Sequence, residues 1–346
     1  MWSTGSGASN SNRRDSAPPA HAHPSVSERA PSLAPHPEAL AALVEQIAPG
    51  GRVVRTCRLR GGLGCRMDVL DIERADESRC KVSLRRFVSG HEGHAASTPE
   101  EVTREFETLR LVERAGIPAP RPILLDAEDE CFGVPAIVMS YLPGRPLFPT
   151  TNIGRWTDGL ARVLLTVHAV TPDRFDLSGL GICLSDGMRE RIDGWQDEGQ
   201  ADPLATEIYS VLEAELERID FSTPTLVHGD YWSGNTVAYR GRIIGIIDWS
   251  GAEVGDRRTD VSECRIDMVL SHGPEVAGGF RDDHERLSSG QLADLWHFDL
   301  CRGFNALLEY EHWLEGYHDM GLRHLKSEDV GARLRAFLHR ALQRGR

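Results

Sequence analysis

Leu226-Val227-His228-Gly229-Asp230-Tyr231-Trp232-Ser233-Gly234-Asn235 is the stretch on which the reading of this chain turns. It is followed, a few residues on, by Ile243-Ile244-Gly245-Ile246-Ile247-Asp248-Trp249. The pattern is His-x-Asp-x-x-x-x-Asn, then an apolar strand ending in Asp, which is the form of a kinase-type catalytic loop. Phosphoryl transfer asks chiefly for positioning and charge neutralisation. Asp230 is suited to accept the proton of a substrate hydroxyl. Asn235 and Asp248 offer oxygen ligands to a hard cation such as Mg²⁺, which takes few protein groups beside phosphates and water. His228 follows an apolar strand and is expected to brace the loop by hydrogen bonds. The bland alternative is a hairpin with Asp and Asn in its turn, where both are common.

Around this stretch the chain divides by composition. Residues 1–36 are rich in Ser, Gly, Ala, Pro and His and poor in large apolar groups, so a disordered tail is expected. Residues 37–142 read as a short helix with Leu40, Leu43, Val44 and Ile47 on one face, then strands Val53 to Leu59, Met67 to Ile72 and Cys80 to Val88. A helix from Glu100 to Ala115 follows, with Val102, Phe106, Leu109 and Val112 on one face. The apolar run Val134 to Leu142 closes this half. Pro143-Gly144 marks a boundary. Beyond it, residues 143–346 are mainly helical: Gly154 to Val170, Leu204 to Ile219, Ser288 to Tyr317 and Val330 to Gln343. The expected fold class is α+β, with a small lobe of antiparallel strands plus one helix and a large, mainly helical lobe.

The loop residues His228 to Asn235, with Ile246-Ile247-Asp248-Trp249, resemble the signature of the aminoglycoside phosphotransferase family, within the wider protein-kinase-like group that includes choline kinases. Gly255-Asp256-Arg257-Arg258-Thr259-Asp260 is similar to that family's Gly-Asp-Pro-x-x-Asp, with Arg257 in place of Pro. The resemblance runs over about residues 50 to 320. It implies a two-lobe fold with ATP (or GTP) and Mg²⁺ between the lobes, a small lobe that binds nucleotide, a large catalytic and acceptor-binding lobe, and a structural role for Asp260 under the loop.

Such a cleft needs a cation on the phosphates and a Glu to hold it. On Lys81-Val82-Ser83-Leu84-Arg85-Arg86, alternation puts Lys81, Ser83 and Arg85 on one face. Arg85 takes the usual lysine position, with Lys81 and Arg86 as alternatives, and Glu105 is the matching helix carboxylate. Gly61-Gly62-Leu63-Gly64 lies between strands, where a phosphate-covering loop belongs; glycine lets backbone amides approach phosphate. The Val138-to-Gly144 stretch resembles the hinge, where the backbone near Ser140 and Tyr141 is placed to bond adenine.

The acceptor is expected to be a small molecule with a hydroxyl: an aminoglycoside, a sugar or an amino alcohol. Asp299, Glu309, Glu311 and Trp313 on the predicted helix around Asp299 to Tyr317 are the candidates to hold it, since carboxylates and aromatics together suit a cationic or sugar-like molecule. Core-and-solvent patterning accounts for the same spacing. The net charge of −13 argues against nucleic acid and anionic membrane partners. Seven scattered cysteines and no apolar run near the length of a membrane span fit a cytoplasmic protein. The loop lacks Arg beside Asp230, and no Phe-Gly follows Asp248, which argues against a protein kinase. No Gly-x-Ser-x-Gly elbow supports a hydrolase. The second class is a pseudokinase or ligand-binding module, favoured by Arg85 and the loose glycine loop, and opposed by the intact Asp230, Asn235 and Asp248.

Overall fold

Alternating strands in the first third of the chain pair into one antiparallel sheet. The computed structural model describes residues 35–59, 65–88, 97–149, 151–195, 202–221 and 223–344. Helix α1 (Pro37–Ile47) precedes strands β1 (Arg52–Arg58), β2 (Arg66–Glu73) and β3 (Arg79–Arg86). Helix α2 (Pro99–Arg114) comes next, then β4 (Pro122–Asp126) and β5 (Ala136–Ser140). The strands order as β1-β2-β3-β5-β4, so β3 sits at the centre with β5 against it. Leu43 and Val44 of α1 pack with Leu70, Ile72, Val82, Leu84 and Val138 on one face of this sheet.

The other face meets α2. Thr98 caps that helix, accepting from the Glu101 amide while the Glu101 carboxylate accepts from the Thr98 amide, and Pro99 fills the first turn. Val102, Leu109 and Val112 are buried, and so is one charged residue of the same helix, Glu105. Burying a carboxylate is costly unless it is paired. Its partner sits on β3, below.

The remainder is mostly helical: α3 (Ile153–His168), α4 (Ser185–Gly194), α5 (Pro203–Glu215), α6 (Arg258–Ser271), α7 (Pro274–Ser288), α8 (Leu295–Asp319) and α9 (Ser327–Arg344). Three short strands, β6 (Gly181–Cys183), β7 (Thr225–Val227) and β10 (Glu253–Gly255), form a sheet with β10 in the middle. A hairpin of β8 (Thr236–Tyr239) and β9 (Arg242–Ile246) completes the lobe. No described helix is long and apolar enough to cross a membrane. This is the α+β architecture expected: an antiparallel sheet in the small lobe and a mainly helical rest.

Several elements depart from the sequence reading. The predicted helix from Ser288 to Tyr317 corresponds to the single helix α8, which starts later, at Leu295; Ser288 is instead the last residue of α7. Helices α4, α6 and α7 and strands β6, β8 and β10 carried no clear signal. The reason is plainest for α6. Thirteen of its residues are buried, charged ones included, so it shows no contrast between an apolar and a polar face. Residues 1–34 of the predicted tail, and Gly61, Gly62, Leu63 and Gly64 of the predicted phosphate loop, lie outside the described residues.

Candidate active site

The hairpin β8–β9 explains how two distant sequence signals meet. It turns at Arg240 and Gly241, both left-handed, and pairs Thr236 with Ile246. The Ile247 amide then donates to the Asn235 carbonyl at 2.8 Å. Asn235 enters the hairpin and Asp248 leaves it, so both stand at the same end. Asp248 takes a left-handed backbone, φ 64°, which is uncommon without glycine and turns the chain sharply there.

The loop before the hairpin is fixed from several sides. Asn235 Nδ2 donates to the Asp230 carbonyl at 2.9 Å and to Asp230 Oδ2 at 2.7 Å. That leaves the Asn235 side-chain oxygen pointing away from the loop's own hydrogen bonds. His228 is fully buried. Its Nε2 lies 3.0 Å from the Ile247 carbonyl, and its Nδ1 accepts from the Asp230 amide at 3.3 Å. A carbonyl can only accept, so Nε2 carries a proton and the ring braces the loop between two backbone groups. Gly229 has φ +80°, and a Cβ there would meet the Gly251 carbonyl oxygen at 2.1 Å, so no other residue fits.

Beneath the loop lies Asp260 of α6. It accepts from the backbone amides of His228 at 2.8 Å and Gly229 at 2.9 Å, and His168 Nε2 lies 3.2 Å away. Burial alone would raise this carboxyl, but the His168 hydrogen bond and neighbouring imidazoles outweigh it and hold the pKa below the usual value. The start of α6 is set by Asp256, whose carboxylate is gripped by the Arg258 guanidinium at 3.0 and 2.7 Å. Arg302 was not anticipated. It donates to the Gly229 carbonyl at 2.9 Å and pairs with Glu263, tying α8 and α6 to the loop. Its signal in the sequence was only one Arg in a predicted helix.

Across the cleft, Arg85 Nη1 donates to Glu105 Oε1 at 2.5 Å, and both terminal nitrogens reach Asp248 Oδ1 at 3.1 Å. Burial works against the Arg85 charge, but Glu105 and Asp248 outweigh it and raise the pKa. Asp248 is likewise pulled below its usual value, with Arg85 and the Ser250 hydroxyl overcoming burial. Asp230 moves the other way: burial is the largest influence and raises its carboxyl. Of the alternatives to Arg85, Arg86 points to the opposite face and pairs with buried Asp68 at 2.9 Å, while Lys81 is exposed, with its ammonium 5.8 Å from the Tyr141 ring. Ser140 ends β5, where its amide donates to the Arg121 carbonyl and its hydroxyl accepts from the Arg121 amide.

The four residues read as acceptor contacts are dispersed. Asp299 is buried, accepting from Ser262 at 3.1 Å and pairing with Arg265 at 2.8 Å. Glu311 is exposed and accepts from Ser327 at 2.8 Å and from Tyr310 at 3.3 Å. Glu309 is exposed, and Trp313 packs on the main core. None of the four makes a hydrogen bond to the loop among the described residues.

One buried group behind Asp260 yields a stability prediction. His284 of α7 is fully buried, lies 5.7 Å ring to ring from His168, and hydrogen-bonds no protein group among the described residues. Burial, then His168 and Arg257, depress its pKa from 6.5 to about 3. Above pH 6.5 both folded and unfolded states hold it neutral. As pH falls below 6.5 the unfolded chain takes a proton that the folded one refuses until about 3, so stability is progressively lost. His284→Phe should remove that slope, worth up to roughly 5 kcal/mol by linkage, while leaving stability at pH 7.5 unchanged or slightly higher. Thermal melts of both proteins from pH 7.5 to 4 measure the difference.

The model of the phosphotransferase enzyme family, abbreviated APH, matches residues 30–297. A mouse protein, acyl-CoA dehydrogenase family member 10, is 24% identical over 195 residues, which is 52% of this chain and 18% of the mouse protein. The chain therefore matches under a fifth of that relative's length. Among solved structures, a mutant of aminoglycoside phosphotransferase APH(4)-Ia, in a ternary complex with ADP and hygromycin B, superposes with TM-score 0.58. Identity is 18%, with 88% of this chain and 97% of that one covered. Macrolide 2′-phosphotransferase MphH from Brachybacterium faecium gives TM-score 0.56 at 18% identity, covering 86% of this chain and 98% of that one. At these identities the likeness is one of fold, and the fold is protein-kinase-like.

Proposed function

Because this chain belongs to the phosphotransferase enzyme family, we propose that it moves the γ-phosphoryl group of ATP, or GTP, to a hydroxyl of a small molecule. The observation that carries this reading is the convergence of Asp230, Asn235 and Asp248 at one end of the β8–β9 hairpin, facing Arg85 and Glu105. Asp230 is half-buried with its carboxylate held by the Asn235 amide at 2.7 Å, an arrangement that suits a base aimed at a hydroxyl better than a simple binding contact.

The acceptor hydroxyl lies against Asp230, which orients it and takes its proton as the oxygen attacks the γ-phosphorus. A new oxygen–phosphorus bond forms, the bond to the β-phosphate oxygen breaks, and ADP leaves. Asp230 then releases its proton to solvent. Asn235 keeps the carboxylate of Asp230 aimed by its Nδ2 bond. His228, Asp260 and Arg302 hold the loop that carries both.

Residues here suit a divalent cation. The Asn235 amide oxygen and Asp248 Oδ2 have no hydrogen-bond partner among the described residues, and both are hard oxygen donors. Two protein ligands suit Mg²⁺, which draws its remaining ligands from phosphates and water. When bound, Mg²⁺ would neutralise charge on the transferring phosphates. Arg85 is held by Glu105 and reaches Asp248 with both terminal nitrogens, so its permanent charge would stand beside the phosphates that the cation holds. The backbone near Ser140 and Tyr141 is assigned to adenine. Residues 37–142 form the nucleotide lobe and 143–346 the catalytic and acceptor lobe.

Arg85→Met should weaken ATP binding roughly 10- to 100-fold, the scale of a lost charge-assisted hydrogen bond or two, without altering acceptor affinity. Calorimetric titration with the ATP analogue AMP-PNP reads this. The function as a whole is tested by ADP production across a panel of hydroxylated acceptors. ADP formation that depends on one acceptor supports it, and stabilisation by ATP and Mg²⁺ with no turnover on any acceptor would favour the binding-module reading instead.

A further inference from the structure

Trp232 sits two residues from Asp230, and its ring folds back over the loop. A Cβ on Gly234 would lie 2.2 to 2.5 Å from three atoms of the indole, so only glycine allows the ring to lie there. Two aromatic side chains from distant segments hold it. Tyr317 of α8 meets it edge-on at 5.8 Å, and Phe148, from the segment before α3, lies 6.4 Å away. Phe148 and Tyr317 also meet edge-on at 6.1 Å. His272, beyond the end of α6, stacks on Phe148 at 6.5 Å.

The wall is fixed from behind. Tyr317 is buried, and its hydroxyl donates to Asp267 of α6 at 2.7 Å. The same carboxylate accepts from the Ser233 hydroxyl at 3.0 Å, next to Trp232 in the loop. Trp232 and Phe148 are only half-buried, so their rings keep an open side. His272 donates from Nε2 to the Pro149 carbonyl, which leaves Nδ1 to accept from Ser271, and burial lowers its pKa. The ring is thus neutral near pH 7. The carboxylate behind the wall, Asp267, is committed as well, to Ser233 and Tyr317.

We infer that Trp232 and Phe148 form the acceptor wall and that the acceptor is a hydroxylated molecule with an apolar face and no cluster of ammonium groups. This rests on the proposed phosphotransferase reading, because the wall is built into the loop that carries Asp230. An aromatic face rewards a flat or apolar surface by desolvation and stacking. A polycation would instead require free carboxylates on the wall itself, whose faces are the rings of Trp232 and Phe148, and the carboxylate behind them, Asp267, is held by the Ser233 and Tyr317 hydroxyls.

The test is calorimetric binding to the protein loaded with AMP-PNP and Mg²⁺, so it does not depend on turnover. The probes are glucose, phenyl β-glucoside and hygromycin B, against the native protein, Trp232→Ala and Trp232→Phe. Phenyl β-glucoside should bind about ten-fold more tightly than glucose, and more tightly than hygromycin B. Trp232→Ala should erase the advantage over glucose, while Trp232→Phe keeps most of it. AMP-PNP affinity should be equal in all three proteins, which shows that the fold survives. Equal or absent binding of the two sugars, tightest binding by hygromycin B, or an advantage untouched by Trp232→Ala would each overturn the inference. Binding as expected with no phosphoryl transfer to any acceptor would leave this wall standing and defeat the phosphotransferase reading.

Discussion

Asp230→Ala should lower the rate of phosphoryl transfer by about 100- to 10,000-fold, the range that a positioned acid or base supplies. The Michaelis constant for nucleotide should change little, because the contacts of Asp230 run to Asn235 and the loop rather than to Arg85. The fold should survive. Burial raises the Asp230 carboxyl, so the native site bears a desolvation cost that alanine removes. Melting temperature therefore stays level or rises while turnover collapses. Initial-rate kinetics and a thermal melt on one preparation separate the two effects. A variant that retained native turnover would remove Asp230 from the reaction.

Asp260→Ala should fail differently. This carboxylate is fully buried and accepts from two loop amides, with His168 beside it. Deleting it leaves three donors without a partner in a place water does not reach. The expected loss is about 3–5 kcal/mol of unfolding free energy, from unsatisfied buried groups. Activity should fall too, because the amides of His228 and Gly229 set the path of the chain into Asp230. Asp260→Asn is the informative companion. Its amide oxygen can still accept from one loop amide, so it should restore part of the stability and part of the rate together. Urea unfolding and turnover, measured on both variants, should move in parallel. Lost turnover at unchanged stability would mean that Asp260 acts in the chemistry and not under the loop.

The contrast between these two residues shows where the sequence was informative. The convergence of Asp230, Asn235 and Asp248 was legible because the loop is nearly continuous in the chain, and the hairpin after it brings its far end back at short range. Strand alternation placed Arg85 on one face with Lys81 and Ser83, and the family's lysine position singled it out; Arg86, the next residue, lands on the other face against Asp68. Asp260 was reached through family resemblance, and its geometry shows why the position matters. Helix α6, which carries it, was invisible to periodicity because it is buried all round.

The acceptor side was the least legible. Helical spacing showed that α8 carries acidic and aromatic residues but not which of them had partners elsewhere. Asp299 looked available until Arg265, on another helix, was found against it. Conversely, Phe148, Trp232 and Tyr317 come from three separate segments, and no local pattern links them. Arg302 belongs to the same group, since its partner is a backbone carbonyl that sequence does not mark. Long-range pairing decides these roles, and a pattern read within one element does not contain it.

The most direct measurement is mass spectrometry of an acceptor incubated with the native protein, ATP and Mg²⁺, alongside Asp230→Ala. The account predicts that the native protein yields a phosphorylated acceptor and one ADP for each phosphoryl transferred, and that Asp230→Ala yields almost none. Nucleotide binding with no phosphorylated product on any hydroxylated acceptor, or equal product from the two proteins, would contradict it.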